Sequence, residues 1–519
     1  MRLSRRAFLA GTLLAACTRE RETGSPSSST TSTTAAAAGS TTTSALPRLD
    51  GPAFTLGVAS GDPAPDGVVL WTRLLPPGEV PAVDLPVRWE VAEDEGFRSM
   101  VATGTATAAA DLAHSVHVEV GGLAPGRDHW YRFLLGDEES PVGRTRTLPD
   151  AGAAVDRWRL AFASCQNWQS GWWPALAHLA EEDLDLVVHL GDYVYESGAG
   201  GDLAGRRHEP DHECATLDDY RARYAQYKGD PALRAAHAAA PWVVTWDDHE
   251  VANNYAGDTE DADRRLAGYR AWYEHQPVRL PRPSALPYAV HRSFDVGGLA
   301  RLFLLDTRQY RTDQPCGRED DVGGPCPGMD EPAATMTGAE QEAWLFDGLD
   351  ASGATWNVIG QQTVMARVDL FPGPGEVFNL DQWDGYPAAR QRLLSHLADA
   401  GTANPVVLTG DIHASGVADL LADFGDPSSP VVGTELVGTS ISSGFPAELA
   451  DLVRAAVGAL PWSRYFEPER RGYVRCTVDE SQWLAEYRYV ASTVDGPESP
   501  VETAAAFVVE AGRPGAEPA

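Results

Sequence analysis

Four short apolar runs between Trp158 and Ser415 each stop at residues that a core cannot hold unpaired. "WRLAFASCQ" stops at Cys165, "LDLVVHLGDYVYE" at Asp192, Tyr193 and Tyr195, "WVVTWDDHEVANN" at Asp247 to Asn254, and "PVVLTGDIHAS" at Asp411 and His413. Such runs, rich in Val and Leu and bounded by turn residues, read as buried strands. Between them lie stretches with helical patterning: "WWPALAHLAEED", Leu217 to Ala239, "GAEQEAWLFDGL" and "PAARQRLLSHLAD". Strands alternating with helices specify an α/β domain, and open α/β sheets gather ligands at the carboxyl ends of their strands. The four loaded run ends are therefore expected at one edge of one sheet system.

The preceding region has a different grammar. From Phe54 to about Leu148, "VVLWTRL", "PVRWEVAED" and "HSVHVEVGGLAPGRDHWYRFLLG" alternate with period two between closely spaced turns, which predicts a small antiparallel β-sandwich of fibronectin III or immunoglobulin-like type. "PDAGAAVDR" reads as the linker out of it. The chain of 519 residues thus divides into an export signal (1–17), a Ser/Thr-rich tether (18–50), the β-sandwich (51–150), the α/β domain with the loaded run ends (151–495) and a frayed C-terminal tail (496–519).

The N-terminus is read as targeting information. "SRRAFL" is a twin-arginine signal, the apolar run Ala7 to Ala16 is too short to span a bilayer, and "LAAC" looks like a lipobox with Cys17 as the lipidated residue. Residues Thr23 to Ala45 then form a flexible tether. The expected location is outside the cytoplasm, held to the membrane by a lipid if Cys17 is modified and secreted otherwise. Outside the cytoplasm, Cys316 and Cys326 are placed to close a disulfide around a Gly/Pro/Asp-rich loop. Cys214 and Cys476 are buried thiols or a second pair. The formal charge of -33 argues against a nucleic-acid groove or an anionic surface as the main partner. Oligomeric state leaves no trace in the sequence.

Thiolate, phenolate, imidazole and carboxylate are all metal ligands. Cys, Tyr and His suit a transition metal, thiolate and phenolate favour a ferric ion, and the Asp and Asn oxygens suit calcium. If Cys165, Asp192, Tyr195, Asp248 and Asp411 are all deprotonated they carry roughly five negative charges, which one ferric and two calcium ions would more than neutralise. The crowding of acids in "WDDHE" is explicable as a metal wall.

These motifs resemble the PhoD-like alkaline phosphatases. "DDHE" stands where metallophosphoesterases carry "GNHE", and "GDIH" stands for their "GHxH". "GVASGDP", "DTRQYRTDQPCG", "NLDQWDGYPAARQRLL" and "GTSISSGF" extend the likeness over roughly Phe54 to Val490. The resemblance implies a phosphatase or phosphodiesterase with one Fe3+ and one or two Ca2+, in a domain built as a central β-sandwich flanked by helices. It implies that Cys165 and Tyr195 are ferric ligands, that Asp192 bridges iron and calcium, and that His413 lies on the iron side and Asp411 on the calcium side. Asp248 matches the metal-binding Asn of "GNHE", and Asn253 or Asn254 completes a calcium shell. Tyr195 is preferred to Tyr193 because the phenolate of the related purple acid phosphatases falls three residues after the Asp. The aspartate–histidine first motif of the wider superfamily is replaced here by "SCQ", as in the PhoD-like group.

No Gly-x-Ser-x-Gly nucleophile elbow lies near these motifs, and a metal-activated water makes one unnecessary. His249 is the candidate for protonating the leaving alkoxide, its alternative being to orient Asp248. Arg308, in "LLDTRQY", is expected either to hold a phosphate oxygen or to pair with Asp306 or Asp313. His189 is read as a buried, hydrogen-bonded histidine, and Trp172, Trp173 and Trp383 as core or pocket wall. The expected partner is a phosphate ester. Two other functions fit parts of the pattern: a zinc or manganese phosphoesterase acting on nucleotides, for which Cys165 and Tyr195 would be incidental, and a non-catalytic lipoprotein that binds phosphorylated ligands.

Overall fold

The computed structural model describes residues 49–519 except 79, 201–202, 204, 316–321 and 372–373. The export signal, Cys17, Cys316 and nearly all of the tether lie outside the described residues.

The strand Trp158–Ala163 pairs in parallel with Leu186–His189, which pairs in parallel with Trp242–Val244. All three are almost wholly buried, as their unbroken apolar runs require. They form the middle of a ten-stranded sheet. A second, seven-stranded sheet runs Arg292–Val296, Ala300–Leu304, Trp356–Gly360, Pro405–Thr409, Val431–Val437, Ser415–Leu421, Ser463–Glu467, with its inner four strands parallel. The two sheets face each other through one core in which Phe162, Val188 and Leu190 meet Leu302, Leu304, Val358 and Leu408. Helices cover both outer faces. Pro174–Glu181, Leu217–Lys228, Pro231–Ala239 and Ala262–His275 pack on the first sheet, and Gly338–Asp350 and Pro387–Ala400 on the second. This is the expected central β-sandwich flanked by helices.

The N-terminal region is all-β, as its period-two patterning predicts. One of its layers is a small antiparallel sheet, Met100–Ala108, Leu85–Ala92, Asp128–Leu135 and Glu138–Glu139, with Gly143–Arg146 paired to Asp128–Leu135. The other layer, Val58–Ala64, Gly67–Arg73 and Ser115–Gly121, is continuous with the ten-stranded sheet of the α/β domain, and Val68, Leu70, Val87, Val91 and Phe133 fill the space between layers. The junction is a parallel pairing of Gly61 with Trp242. A Cβ on Gly61 would lie 2.4 Å from the carbonyl oxygens of both Pro277 and Trp242, so this seam needs glycine.

One expectation is sharpened and one is corrected. The stretch Leu217–Ala239 is two helices, because Gly229 closes the first while Asp230 caps the second through the amides of Ala232 and Leu233 and Pro231 occupies its first turn. The residues from 496 onward are not a frayed tail. Val501–Glu510 and Arg513–Pro518 are the outer strands of the ten-stranded sheet, turned at Gly512 (φ +79°), and they bury Phe507, Val509 and Ala516. Composition rich in Gly, Pro and Glu hid a hairpin held by three apolar side chains.

Cys214 and Cys476 are buried free thiols, so they do not form a second pair. Cys326 is disulfide-bonded; Cys316, the partner that the sequence proposes for it, lies outside the described residues.

Candidate metal centre

The parallel strands of both sheets deliver their carboxyl ends to one edge, and the loaded residues meet there. Sulfur, carboxylate oxygen and imidazole nitrogen of Cys165, Asp192 and His413 lie within 4.8 Å of one another. So do ligand atoms of Asp192, Asp248 and His249, and of Asp247, Asp248 and Asp411, so that Asp192 and Asp248 link the groups into one cluster. The backbone is strained to achieve this. Ten described non-glycine residues have positive φ, and five of them are Cys165 (58°), Asp192 (55°), Asn254 (55°), Asp411 (63°) and His413 (57°). Left-handed conformations at Cys and His cost energy that the rest of the fold must offset, and their concentration in one cluster marks a site. Gly191 (φ +105°) allows the turn: a Cβ there would lie 2.4 Å from that of Asp247. The Glu250 carboxylate ties the turns together by accepting from the amides of Asp192 (3.2 Å), Tyr193 (2.6 Å) and Asp247 (2.8 Å).

The Tyr195 hydroxyl enters the first group. It donates to Asp192 Oδ2 at 2.8 Å, lies 3.2 Å from His413 Nε2 and is 2.7 Å from Ser443 Oγ. Tyr193 turns away, with its hydroxyl 2.7 Å from His237 Nε2 in the helix-side core. His413 Nδ1 lies 3.0 Å from the Gly444 carbonyl, an arrangement that makes Nδ1 the N–H donor and leaves Nε2 with its lone pair toward the cluster.

Arg308 organises the carboxylates on the other side. Its guanidinium is fully buried and bonds Asp247 through Nε, Asp381 through Nη1 (2.7 Å) and Asp411 through Nη2 (2.8 Å), with Asp248 Oδ1 at 3.6 Å. This corrects the expectation that Arg308 holds phosphate: each of its three guanidinium nitrogens bonds a carboxylate, and it does not line the cavity above the cluster. Nor does the guanidinium pair with Asp306 or Asp313; Asp306 accepts from the Arg308 backbone amide instead, at 2.9 Å. Asp381 was not singled out in the sequence, because it lies in an irregular stretch, "NLDQW", with no strand to mark it. Gln382, its neighbour, donates to Asp411 Oδ2 at 2.6 Å.

Burial sets the charge balance. It pushes the Cys165 thiol, the Asp192 carboxyl and the Tyr195 phenol well above their ordinary pKa values, and the neighbouring acids push the thiol and phenol further. Burial raises Asp247 and Asp411 as well, although Arg308 opposes it. At Asp248 burial is outweighed by Arg308 and His249, which hold the carboxyl low. Burial lowers His413 to about 4, so its imidazole is neutral and ready to coordinate. Burial would lower His249 too, but Glu196, Asp248 and Asp192 raise it well above the ordinary value. Glu196, another residue the sequence reading passed over although it follows Tyr195 directly, accepts from His249 Nδ1 at 2.7 Å and from the Asn253 amide at 2.8 Å. The His249 ring packs on Tyr195, centroids 4.1 Å apart.

The arrangement fits cations. Asp192 Oδ1, Asp247 Oδ2 and Asp248 Oδ1 are buried without a hydrogen-bond donor, a costly state for a carboxylate unless a positive charge meets it. The donor set on one side is thiol, phenol and imidazole; on the other it is carboxylate with Asn254, whose backbone amide donates to Asp248 Oδ2 at 2.6 Å.

Known proteins place the fold. The family model "PhoD-like phosphatase" matches residues 160–487, and the model of the N-terminal domain of that family matches residues 39–149. The chain belongs to the PhoD-like phosphatases. It is 46% identical over 484 residues to alkaline phosphatase D of Bacillus subtilis (strain 168), covering 90% of this chain and 82% of that protein. A solved structure of PhoD superposes with a TM-score of 0.86 at 45% identity, over 91% of this chain and 93% of that one. The PhoD-like catalytic match contains every residue of the cluster, from Cys165 to His413, and ends before the C-terminal hairpin.

Of the remaining candidates, His189 is buried and its Nδ1 accepts from the Gly191 amide at 3.4 Å. Trp173 and Trp383 are core, and the tryptophan that lines the cavity is Trp462.

Proposed function

We propose that this PhoD-like phosphatase hydrolyses phosphate monoesters or diesters at an iron–calcium centre. The observation that carries the reading is the set of three buried, donorless carboxylate oxygens beside a buried thiol, phenol and imidazole. Cys165, Tyr195, His413 and Asp192 would hold the ferric ion; Asp192, Asp248, Asn254 and Asp411 would hold calcium. When bound, these cations supply Lewis acidity toward water and toward the phosphate oxygens. The chain's own residues do the rest. Arg308 fixes Asp247, Asp381 and Asp411 by charge-assisted bonds and so sets the geometry of the calcium side. His249 lines the cavity with its ring locked by Glu196 on one edge and Tyr195 on one face, placed to protonate the departing alkoxide oxygen. Ser443 holds the Tyr195 oxygen.

Metal content of natively exported protein, measured by inductively coupled plasma mass spectrometry beside turnover of p-nitrophenyl phosphate and its bis-ester, tests this. About one iron with calcium is expected, with turnover lost on calcium chelation and regained with calcium alone. Zinc or manganese without iron would overturn the iron assignment.

We further infer that the folded chain is exported through the twin-arginine pathway and anchored by lipid on Cys17. "SRRAFL", "LAAC" and the tether support this, and among the described residues no helix is long and apolar enough to cross a membrane. Cys17→Ala should move the enzyme from the membrane fraction to the medium; a wild-type chain already free in the medium would overturn the anchor.

A further inference from the structure

The segment "GTSISSGF", Gly438 to Phe445, holds none of the candidate ligands, yet it runs beside three of them. It leaves the strand Val431–Val437 and crosses the carboxyl end of Trp158–Ala163, where Ser440 bridges Ser164 in parallel and the Ile441 amide donates to the Ser164 carbonyl at 3.0 Å. From there it meets the thiol, the phenol and the imidazole in turn. The Cys165 carbonyl accepts from the Ser443 amide at 3.2 Å and from the Ser443 hydroxyl at 2.9 Å, with the Ser442 amide at 3.4 Å. The same Ser443 hydroxyl lies 2.7 Å from the Tyr195 oxygen. The next residue, Gly444, presents its carbonyl to His413 Nδ1 at 3.0 Å. His413 is tied to the segment from its backbone as well, because Arg471 Nη1 donates both to the His413 carbonyl at 3.0 Å and to the Thr439 hydroxyl at 3.3 Å. Cys165 and His413 are the two left-handed residues of this group, at φ 58° and 57°, and their carbonyls are the ones the segment and Arg471 hold. A strained backbone persists where its surroundings fix it.

Ser442 and Ser443 are both buried, and they spend their hydroxyls differently. Ser442 donates to the Asn167 carbonyl at 2.7 Å and accepts from the Trp173 indole at 3.2 Å, so it ties the segment to the scaffold alone. Ser443 accepts from the Asn167 amide at 3.3 Å, which leaves its single hydrogen for the Cys165 carbonyl and the Tyr195 oxygen. A donor on a ligand oxygen fixes the direction of its lone pairs and withdraws charge from it, and such outer partners tune how tightly a metal is held.

We propose that Ser443 is the positioning residue of the thiol–phenol–imidazole half of the centre: one side chain fixes the Cys165 carbonyl and the Tyr195 oxygen, and so sets the direction and donor strength of the ligands offered to the transition metal. This rests on the metal-centre reading above.

The neighbouring serines supply the test. In the full chain loaded with iron and calcium, iron affinity is measured by chelator competition and the ferric charge-transfer band by visible absorption. Ser443→Ala is expected to weaken iron binding roughly tenfold to a hundredfold and to move the band to longer wavelength, because a phenolate without its donor gives up charge more readily. Ser442→Ala, which removes a buried hydroxyl from the same segment, should leave both at their wild-type values. An unmoved band and affinity in Ser443→Ala would overturn the proposal, as would equal shifts in the two variants, which would make the segment a structural support only. If the wild type takes up zinc or manganese instead of iron, an affinity for that ion that falls in Ser443→Ala alone would uphold the positioning role and overturn the ferric reading. Iron bound with its band unmoved in Ser443→Ala would do the reverse. A wild type that takes up no transition metal would overturn both.

Discussion

Three residues apart, His189 and Asp192 begin two buried clusters of opposite sign. His189, His237 and Lys228 are buried together behind the strand Leu186–His189, walled by aromatic rings: the His189 ring stacks on Trp242 with centroids 5.9 Å apart, and Lys228 Nζ lies 4.1 Å from the Trp71 ring centroid. Asp192, Asp247 and Asp248 are buried in front of it. Both clusters contain polar atoms without partners, His189 Nε2 and His237 Nδ1 in one, the three carboxylate oxygens in the other. Burial resolves this by disfavouring the protonated form of each base. Burial drives His189 down to about 3 and His237 and Lys228 well below their ordinary values, each neighbour adding to the effect on the histidines. A neutral imidazole against tryptophan is a tolerable core residue. The acids face Arg308 and an open cavity, and a cation is the partner that relieves them. Equal burial thus yields an inert core in one place and a reactive site in the other; the difference lies in what each cluster faces.

Asp192→Asn is the sharpest way to break the contrast. Asparagine tolerates the positive φ and keeps an oxygen for the Tyr195 hydroxyl, so the metal-free protein should melt within about 1 kcal/mol of wild type. Turnover should fall on the order of a thousandfold or more with loss of bound metal, since the residue joins both halves of the cluster. Retained metal and activity would remove Asp192 from the centre. Arg308→Met makes the complementary cut. It leaves Asp247, Asp381 and Asp411 buried without their counter-charge, and breaking a buried ion pair from one side costs about 3–5 kcal/mol. Urea denaturation of the metal-free protein should show that loss, partly restored by calcium if calcium takes over the role of neutralising the carboxylates. Unchanged stability would mean these acids are neutral in the folded protein.

Glu196→Gln probes a smaller effect on the cavity side. Glutamine keeps one acceptor oxygen for the Asn253 amide but sets an amide N–H donor against His249 Nδ1 and removes the charge. If His249 protonates the leaving oxygen, turnover of esters with alkyl leaving groups should fall roughly a hundredfold, the usual scale of general-acid assistance. Esters of p-nitrophenol, whose phenolate departs without help, should lose little. An equal loss with both leaving groups would return His249 to the role of orienting Asp248.

The chain announced much of this in advance, for a physical reason. A strand ending in Cys165, in Asp192 or in Asp411 and His413 is an apolar run with its exit labelled, and the label survives in sequence because both parts are contiguous. The alternation of such runs with helices likewise made the layered α/β architecture legible. Glu196 and Asp381 act through partners 53 and 73 residues away, His249 and Arg308, and no local period encodes that. Arg308 was misread because a strand-end arginine near acids looks the same whether its N–H groups point into a cavity or into carboxylates. The C-terminal hairpin was missed because its stability comes from pairing with Gln482–Val490, not from its own composition.

The base cluster makes the mildest prediction. An ordinary histidine titrates near 6.5, while His189 in the folded protein titrates at about 3. The unfolded chain therefore binds the proton more readily between these values, so stability is fully present above pH 6.5 and is lost as pH falls toward 3. At pH 5.5, one unit below the unfolded value, this single group costs about 1.4 kcal/mol relative to pH 8. His189→Leu removes the titration but also the weak bond from the Gly191 amide. Urea melts at pH 8 and pH 5.5 should show a pH-dependent gap smaller by about 1.4 kcal/mol in the variant than in wild type, with His237 sustaining part of the slope. An identical gap in the two proteins would mean that His189 takes up its proton inside the fold, and the contrast between an inert base cluster and a reactive acid cluster would then fail on its base side.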